Sequence, residues 1–217
     1  MLTRVTTTGY TTEWCKHLLP SVLESTLPPT IQGHSASIQL VTLFLGANDA
    51  VLPGQRQHVP LDDYKRNLKE LVEQIRAHNR KTRVILITPP PVDPIRWSTP
   101  RHTEPDRTAE NTKTYRDVCL EVAQELCIVV LDTWELFLGP SLECTPSTTR
   151  KLLNDGLHLD TKGNQLLGSA LLETIKKNWP ELEPEGMKSL VAWHDQVDKT
   201  DLPKTLFRFD QAHGGGL

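Results

Sequence analysis

Two short stretches of this 217-residue sequence hold residue types that can do acid–base chemistry. The first is Asp155-Gly156-Leu157-His158. A glycine after the aspartate lets the chain bend, so the carboxylate can turn back toward the ring of His158. A carboxylate bonded to one imidazole nitrogen fixes the tautomer, steadies the imidazolium and leaves the other nitrogen free as a general base. The second stretch is Leu45-Gly46-Ala47-Asn48-Asp49. Gly46 permits a tight turn, and Asn48 presents a neutral amide with two N–H donors, the kind of group that stabilises a developing oxyanion. Taken singly, both are also ordinary turn chemistry. A third use of the same residues is a metal site from Asp49, Asp155 and His158, a legitimate ligand set with no further clustered His or Asp to complete it.

Chemistry at these positions needs a scaffold. Three nearly continuous Val/Ile/Leu runs predict strands covered on both faces: residues 37–45, 83–88 and 127–132. The first leads directly into Gly46-Ala47-Asn48-Asp49, and the second is stopped by Pro89-Pro90-Pro91. Helical spacing recurs in Leu61, Tyr64, Leu68, Leu71, Val72 and Ile75, with Asp62 and Asp63 at the positive N-terminal end. It recurs from Tyr115 to Leu126, and from Leu166 to Ile175 after a cap at Asp160 or Thr161. Residues 11–26 also read as a helix. The alternation predicts right-handed βαβ units and a parallel α/β sheet, whose ligands bind beyond the carboxyl ends of the strands. A doubly wound sheet usually needs about five strands. Only three good ones are present, and residues 2–8 read as the remnant of another. The expected organisation is one domain over residues 1–180, an extension with a short helix over 181–210, and a disordered tail over 211–217.

Composition narrows the class. Lys and Arg number 24 against 27 Asp and Glu, a net charge of −3, and no basic face stands out, which argues against nucleic acid as a partner. The most apolar run, residues 40–45, is too short to span a membrane, and the first residues have no hydrophobic signal region, so a cytoplasmic location is expected. Cys15, Cys119, Cys127 and Cys144 are widely spaced, without a C-x-x-C pair, and read as reduced structural thiols. Pro89-Pro90-Pro91 and Trp97 read equally as the wall of an acyl or alcohol pocket or as a rigid surface loop.

Together the two stretches carry more weight than either alone. Gly46-x-Asn48-Asp49 and Asp155-x-x-His158 resemble the third and fifth sequence blocks of the GDSL/SGNH hydrolases. The text around them, FLGANDA (44–50), HVPLDDYKRNLKELV (58–72), RVILITPPP (83–91) and DGLHLDTKGNQLL (155–167), resembles the isoamyl acetate-hydrolysing esterases of that superfamily. Gly9-Tyr10-Thr11-Thr12-x-Trp14 is similar to the second block. The resemblance covers residues 4 to 180 in family order. It implies a three-layer α/β/α, flavodoxin-like fold and a serine esterase of small short-chain esters such as acetates, working through an acyl-enzyme without a cofactor. It implies that His158 is the general base, that Asp155 orients it, and that Gly9 (backbone N–H) and Asn48 (side-chain amide) are oxyanion-hole donors.

The first block of that family, a Gly-Asp-Ser after the first strand, does not occur in these residues. Ser21, Ser25 and Ser169 sit in helical patterns, Ser35 and Ser37 precede a strand, and Ser98 lies in a proline-rich loop. The expectation is an N-terminally truncated member without its first strand or nucleophile. Residues 40–45 would then form an open edge prone to self-association. A catalytically inactive fragment with a binding role is the alternative.

Overall fold

A computed structural model describes residues 9–26, 37–101, 103–183 and 200. In chain order its elements are α1 (Thr12–Thr26), β1 (Leu40–Phe44), α2 (Leu61–His78), β2 (Arg83–Ile87), α3 (Pro94–Ser98), α4 (Ala109–Glu125), β3 (Val129–Leu131), α5 (Thr133–Leu138), α6 (Pro146–Thr149) and α7 (Thr161–Asn178). The strands form one parallel sheet in the order β1-β2-β3. Leu40 lies opposite Arg83 and Phe44 opposite Ile87, while Ile85 to Ile87 face Val129 to Leu131. This is the α/β architecture with a parallel sheet that the apolar runs predict. Each strand is shorter than its run. The expected strand over residues 2–8, the short helix beyond Pro180 and the tail lie outside the described residues.

The chain divides into two compact units, Met1–Pro29 with Ala36–Leu171, and Thr30–Ser35 with Leu172–Leu217. The division falls inside α7. The first unit holds the sheet. In the second, the described residues include the last turns of α7 and the short turn Pro180–Leu182, where Lys176 pairs with Glu183 at 3.1 Å.

The helices follow from their sequences. One stripe of α2 (Tyr64, Leu68, Leu71, Val72 and Ile75) is buried, and Arg76 and His78 close its negative end. Thr108 caps α4, accepting a hydrogen bond from the Asn111 N–H at 3.0 Å. Asp160 caps α7 through the Gly163 N–H at 2.8 Å, so the cap falls on the first of its two expected positions. Sequence periodicity does not announce α3, α5 and α6. They are four to six residues long, too short to display a helical repeat, and are held by side-chain caps at Asp93, Asp132 and Thr145.

A buried carboxylate anchors α1 to the end of β1. Asp49 is fully buried, and its Oδ1 accepts both the Thr12 N–H, at 2.9 Å, and the Thr12 hydroxyl. Asn67 of α2 donates in turn to Thr12 Oγ1 at 3.2 Å. Asp49 Oδ2 has no partner among the described residues. Burial pushes the Asp49 carboxyl up to about 6, against the pull of the Thr12 hydrogen bonds. A second tether lies at Gly156. It holds φ at +95°, and a Cβ there would meet the Asp93 carbonyl oxygen at 2.6 Å and the Trp97 nitrogen at 2.8 Å. The Gly156 carbonyl accepts the Asp93 N–H at 2.8 Å, so the loop before α7 lies directly on the start of α3.

Both tethers make measurable predictions. Folded Asp49 keeps its proton up to about pH 6, whereas an ordinary aspartate releases it near 3.8. Between those values the folded state binds more protons, so this residue's contribution to stability grows as pH falls from 7 toward 4 and is lost as pH rises through 6. In urea unfolding, Asp49→Asn relative to wild type is therefore expected to look better at pH 7.5 than at pH 4.5 by about 2 kcal/mol. A pH-independent difference would show that Asp49 titrates as an ordinary aspartate. Gly156→Ala forces a side chain into a positive φ and against backbone, and is expected to cost about 2–3 kcal/mol in the same measurement.

Candidate active site

Asp155 and His158 meet as their spacing suggests. Asp155 Oδ1 accepts the N–H of Leu157 at 3.1 Å and of His158 at 2.9 Å, and Oδ2 lies 2.9 Å from His158 Nδ1. Partial burial pushes the Asp155 carboxyl up. The His158 N–H, the His158 ring and the Leu157 N–H outweigh it and hold the carboxyl at about 2. The ionised carboxylate takes the Nδ1 proton as its hydrogen bond, which leaves the lone pair on Nε2. The His158 side chain is 61% exposed, so Nε2 is open to a substrate.

The loop that carries the pair is clamped from α3. Asp93 caps that helix through the Arg96 N–H at 3.0 Å. Arg96 then donates to the carbonyls of Leu153 at 2.7 Å and Asn154 at 2.5 Å. The Trp97 and His158 rings meet with centroids 5.6 Å apart and planes at 65°. The Arg101 guanidinium lies 3.4 Å from the centre of the Trp97 ring and 3.9 Å from Asp155 Oδ2.

Asn48 and Gly9 come together at the end of β1. Asn48 Nδ2 donates to the Tyr10 carbonyl at 2.9 Å, and Gln57 donates to the Gly9 carbonyl at 2.6 Å. One N–H of Asn48 is therefore engaged, and the amide has a second. Gly46 makes the turn possible: its φ is +114°, and a Cβ would fall 2.7 Å from the Tyr64 hydroxyl.

Arg107 links the two halves, and no feature of the sequence singles it out. It is 2% exposed. Its Nε and Nη2 grip the Asp106 carboxylate at 2.9 and 3.2 Å, and Nη1 donates to the Ala47 carbonyl at 3.2 Å. Its guanidinium lies 4.9 Å from the centre of the Trp97 ring, whose indole N–H also donates to Asp106, at 3.1 Å. Partial burial pushes the Asp106 carboxyl up, but the bonds and charge of Arg107 and the Trp97 N–H bring it below the usual range. Trp97 is thus a link between charged groups. The three prolines are buried, and the Pro89 carbonyl accepts the Trp134 indole N–H at 3.0 Å, so they do not form a surface loop.

Ser21 and Ser25 lie in α1 and Ser169 in α7, as their patterns suggest. Ser98 is not in an open loop. It ends α3, is 5% exposed and donates to the Ile95 carbonyl at 3.3 Å. Ser37 is exposed ahead of β1, and Ser35 lies outside the described residues. Among the described residues no hydroxyl hydrogen-bonds the His158 ring. Asp49 is buried against Thr12, so it does not join Asp155 and His158, and no three His, Cys, Asp or Glu side chains among the described residues gather as a metal site. A hollow of about 480 Å³ lies along β3 and α5, lined by Arg116, Leu120, Val130, Asp132 and Leu136. It touches none of Gly9, Asn48, Asp155 or His158.

Comparison with known proteins gives the family of the chain. Residues 3–166 match the model of the GDSL-like lipase/acylhydrolase family. A GDSL esterase/lipase of Arabidopsis thaliana is 33% identical over 211 residues, covering 94% of this chain and 82% of the relative. The isoamyl acetate-hydrolyzing esterase 1 homolog of Homo sapiens is 35% identical over 176 residues, covering 78% of this chain and 66% of the relative. Among solved structures, a lipase/acylhydrolase from Enterococcus faecalis superposes with a TM-score of 0.56 at 29% identity, covering 78% of this chain and 72% of that one. The chain belongs to the GDSL-like lipase/acylhydrolase family, a family of carboxylic ester hydrolases.

Proposed function

We propose that these residues form the base and oxyanion side of an esterase site for small short-chain esters such as acetates. The observation that carries the reading is the Asp155–His158 pair, with the Nδ1 contact at 2.9 Å and Nε2 open. The names of the isoamyl acetate-hydrolyzing relatives support the substrate class.

In this reading His158 Nε2 takes the proton of a serine hydroxyl as the oxygen attacks the ester carbonyl. The charge that builds on the carbonyl oxygen is met by the Gly9 backbone N–H and the free N–H of Asn48. One such donor is worth about 2.7–4 kcal/mol in the transition state. Asp155 stabilises the imidazolium, which then protonates the departing alcohol. Water, deprotonated by the same nitrogen, attacks the acyl-serine and releases the acid. The serine belongs to a Gly-Asp-Ser turn that is not among these 217 residues. The same sequence observation favours a second reading for the 217 residues by themselves, a non-catalytic binding protein.

The test is hydrolysis of p-nitrophenyl acetate together with fluorophosphonate labelling. A chain extended in frame with a Gly-Asp-Ser-bearing segment is expected to hydrolyse the ester and take the label. Asp155→Asn, which allows the wrong tautomer, and His158→Ala should each lower kcat about 10⁴-fold. An unchanged rate in His158→Ala overturns the assignment of the base. The 217 residues alone should take no label, and a label mapped to any of their serines overturns the external nucleophile and the non-catalytic reading together.

A further inference from the structure

Arg107 is a buried cation that the proposed chemistry does not use. A guanidinium keeps its charge in proteins, and taking it out of water costs several kcal/mol unless its donors are met. Here they are met by groups from both halves of the site. Nη1 holds the Ala47 carbonyl, part of the peptide that precedes Asn48. The rest of the fork holds Asp106, which also receives the Trp97 indole N–H. Asp106 is itself fixed, because its carbonyl accepts the Leu52 N–H at 2.7 Å. The guanidinium faces Trp97, and the Trp97 ring packs at a steep angle on the His158 ring.

We propose that Arg107 is a positioning residue that sets the general base and the oxyanion turn in register with each other. On one side it holds the Ala47 carbonyl, and on the other, through Asp106 and Trp97, it holds the ring of His158. Ala47 and Arg107 are sixty positions apart, so local chain geometry cannot keep these halves aligned. Packing alone would accept any buried group of the right volume. The planar fork reaches a carbonyl and a carboxylate at once, which a lysine ammonium on its flexible stem cannot do in the same geometry. The role rests on the esterase reading above, but the alignment it describes can be measured without catalysis.

The experiment is an NMR comparison of the His158 imidazole signals in the 217-residue chain, with urea unfolding run alongside. Arg107→Lys keeps the charge and loses the fork. It is expected to unfold cooperatively while the His158 ring protons lose the ring-current shift that Trp97 imposes. Asp106→Asn keeps Arg107 and the Trp97 ring but removes the carboxylate that joins them, and should move the same signals. If Arg107→Lys does not fold, Asp106→Asn decides. Wild-type His158 signals in a folded Arg107→Lys, or in Asp106→Asn where that variant decides, overturn the proposal. In the serine-bearing chain, Arg107→Lys should lower kcat about 10- to 100-fold with KM nearly unchanged, the pattern of misplaced catalytic groups. A rise in KM with kcat unchanged overturns it as well. His158→Ala without effect on hydrolysis would remove the esterase reading and leave the NMR result standing.

Discussion

Asp155 accepts three hydrogen bonds from a loop only three residues long: two backbone N–H groups and the His158 ring. That concentration of donors holds the carboxyl ionised in all but strong acid. It also fixes which imidazole nitrogen carries the proton. The geometry depends on Gly156, because only a backbone at φ +95° brings the carboxylate round onto its own loop. The same glycine has no room for a side chain, since Asp93 and Trp97 lie against it. The turn that creates the pair is therefore also the surface by which the pair is seated on α3.

The seating is mostly polar. Arg96, Arg107, Asp49 and Asp106 tie loops together through carbonyls, carboxylates and helix-end N–H groups. Apolar contact is proportional to area and tolerates sliding. Hydrogen bonds of this kind have direction, and leaving a buried partner unmet costs about 1–3 kcal/mol. Loops joined in this way gain register more than stability. Asp49 shows the cost, since its Oδ2, without a partner among the described residues, leaves the charged form poorly solvated.

The same division decides what was legible in the sequence. β2 reads as a buried strand because all but its first residue is buried. The Asp155–His158 pair was legible because donor and acceptor are three residues apart. The Gly9–Asn48 neighbourhood was suggested only by resemblance, because the chain that joins them runs through α1 and β1. Arg107 left no trace, since an arginine in a Pro- and Thr-rich segment has the same spacing whether it is buried or exposed. Asp49 looked like a turn residue or a metal ligand. Its actual partner, Thr12, is 37 positions away.

Burial along the sheet sets a limit on the three strands themselves. In β1 only Leu43 is buried, Thr42 and Phe44 are exposed, and all of β3 is half-buried. Yet residues 40–44 are as apolar as the central strand. Among the described residues β1 pairs with β2 alone, so its other edge has neither charge nor proline to discourage a further strand. Within the first unit, α7 buries only Gly163, while Leu167, Ala170 and Leu171 are half-covered and Leu166 is 36% exposed. A strand pattern suited to the middle of a sheet and a helix stripe suited to a core are both incompletely covered. Apolar patterning encodes the cover that a segment needs, and here that need exceeds what the three strands among the described residues provide.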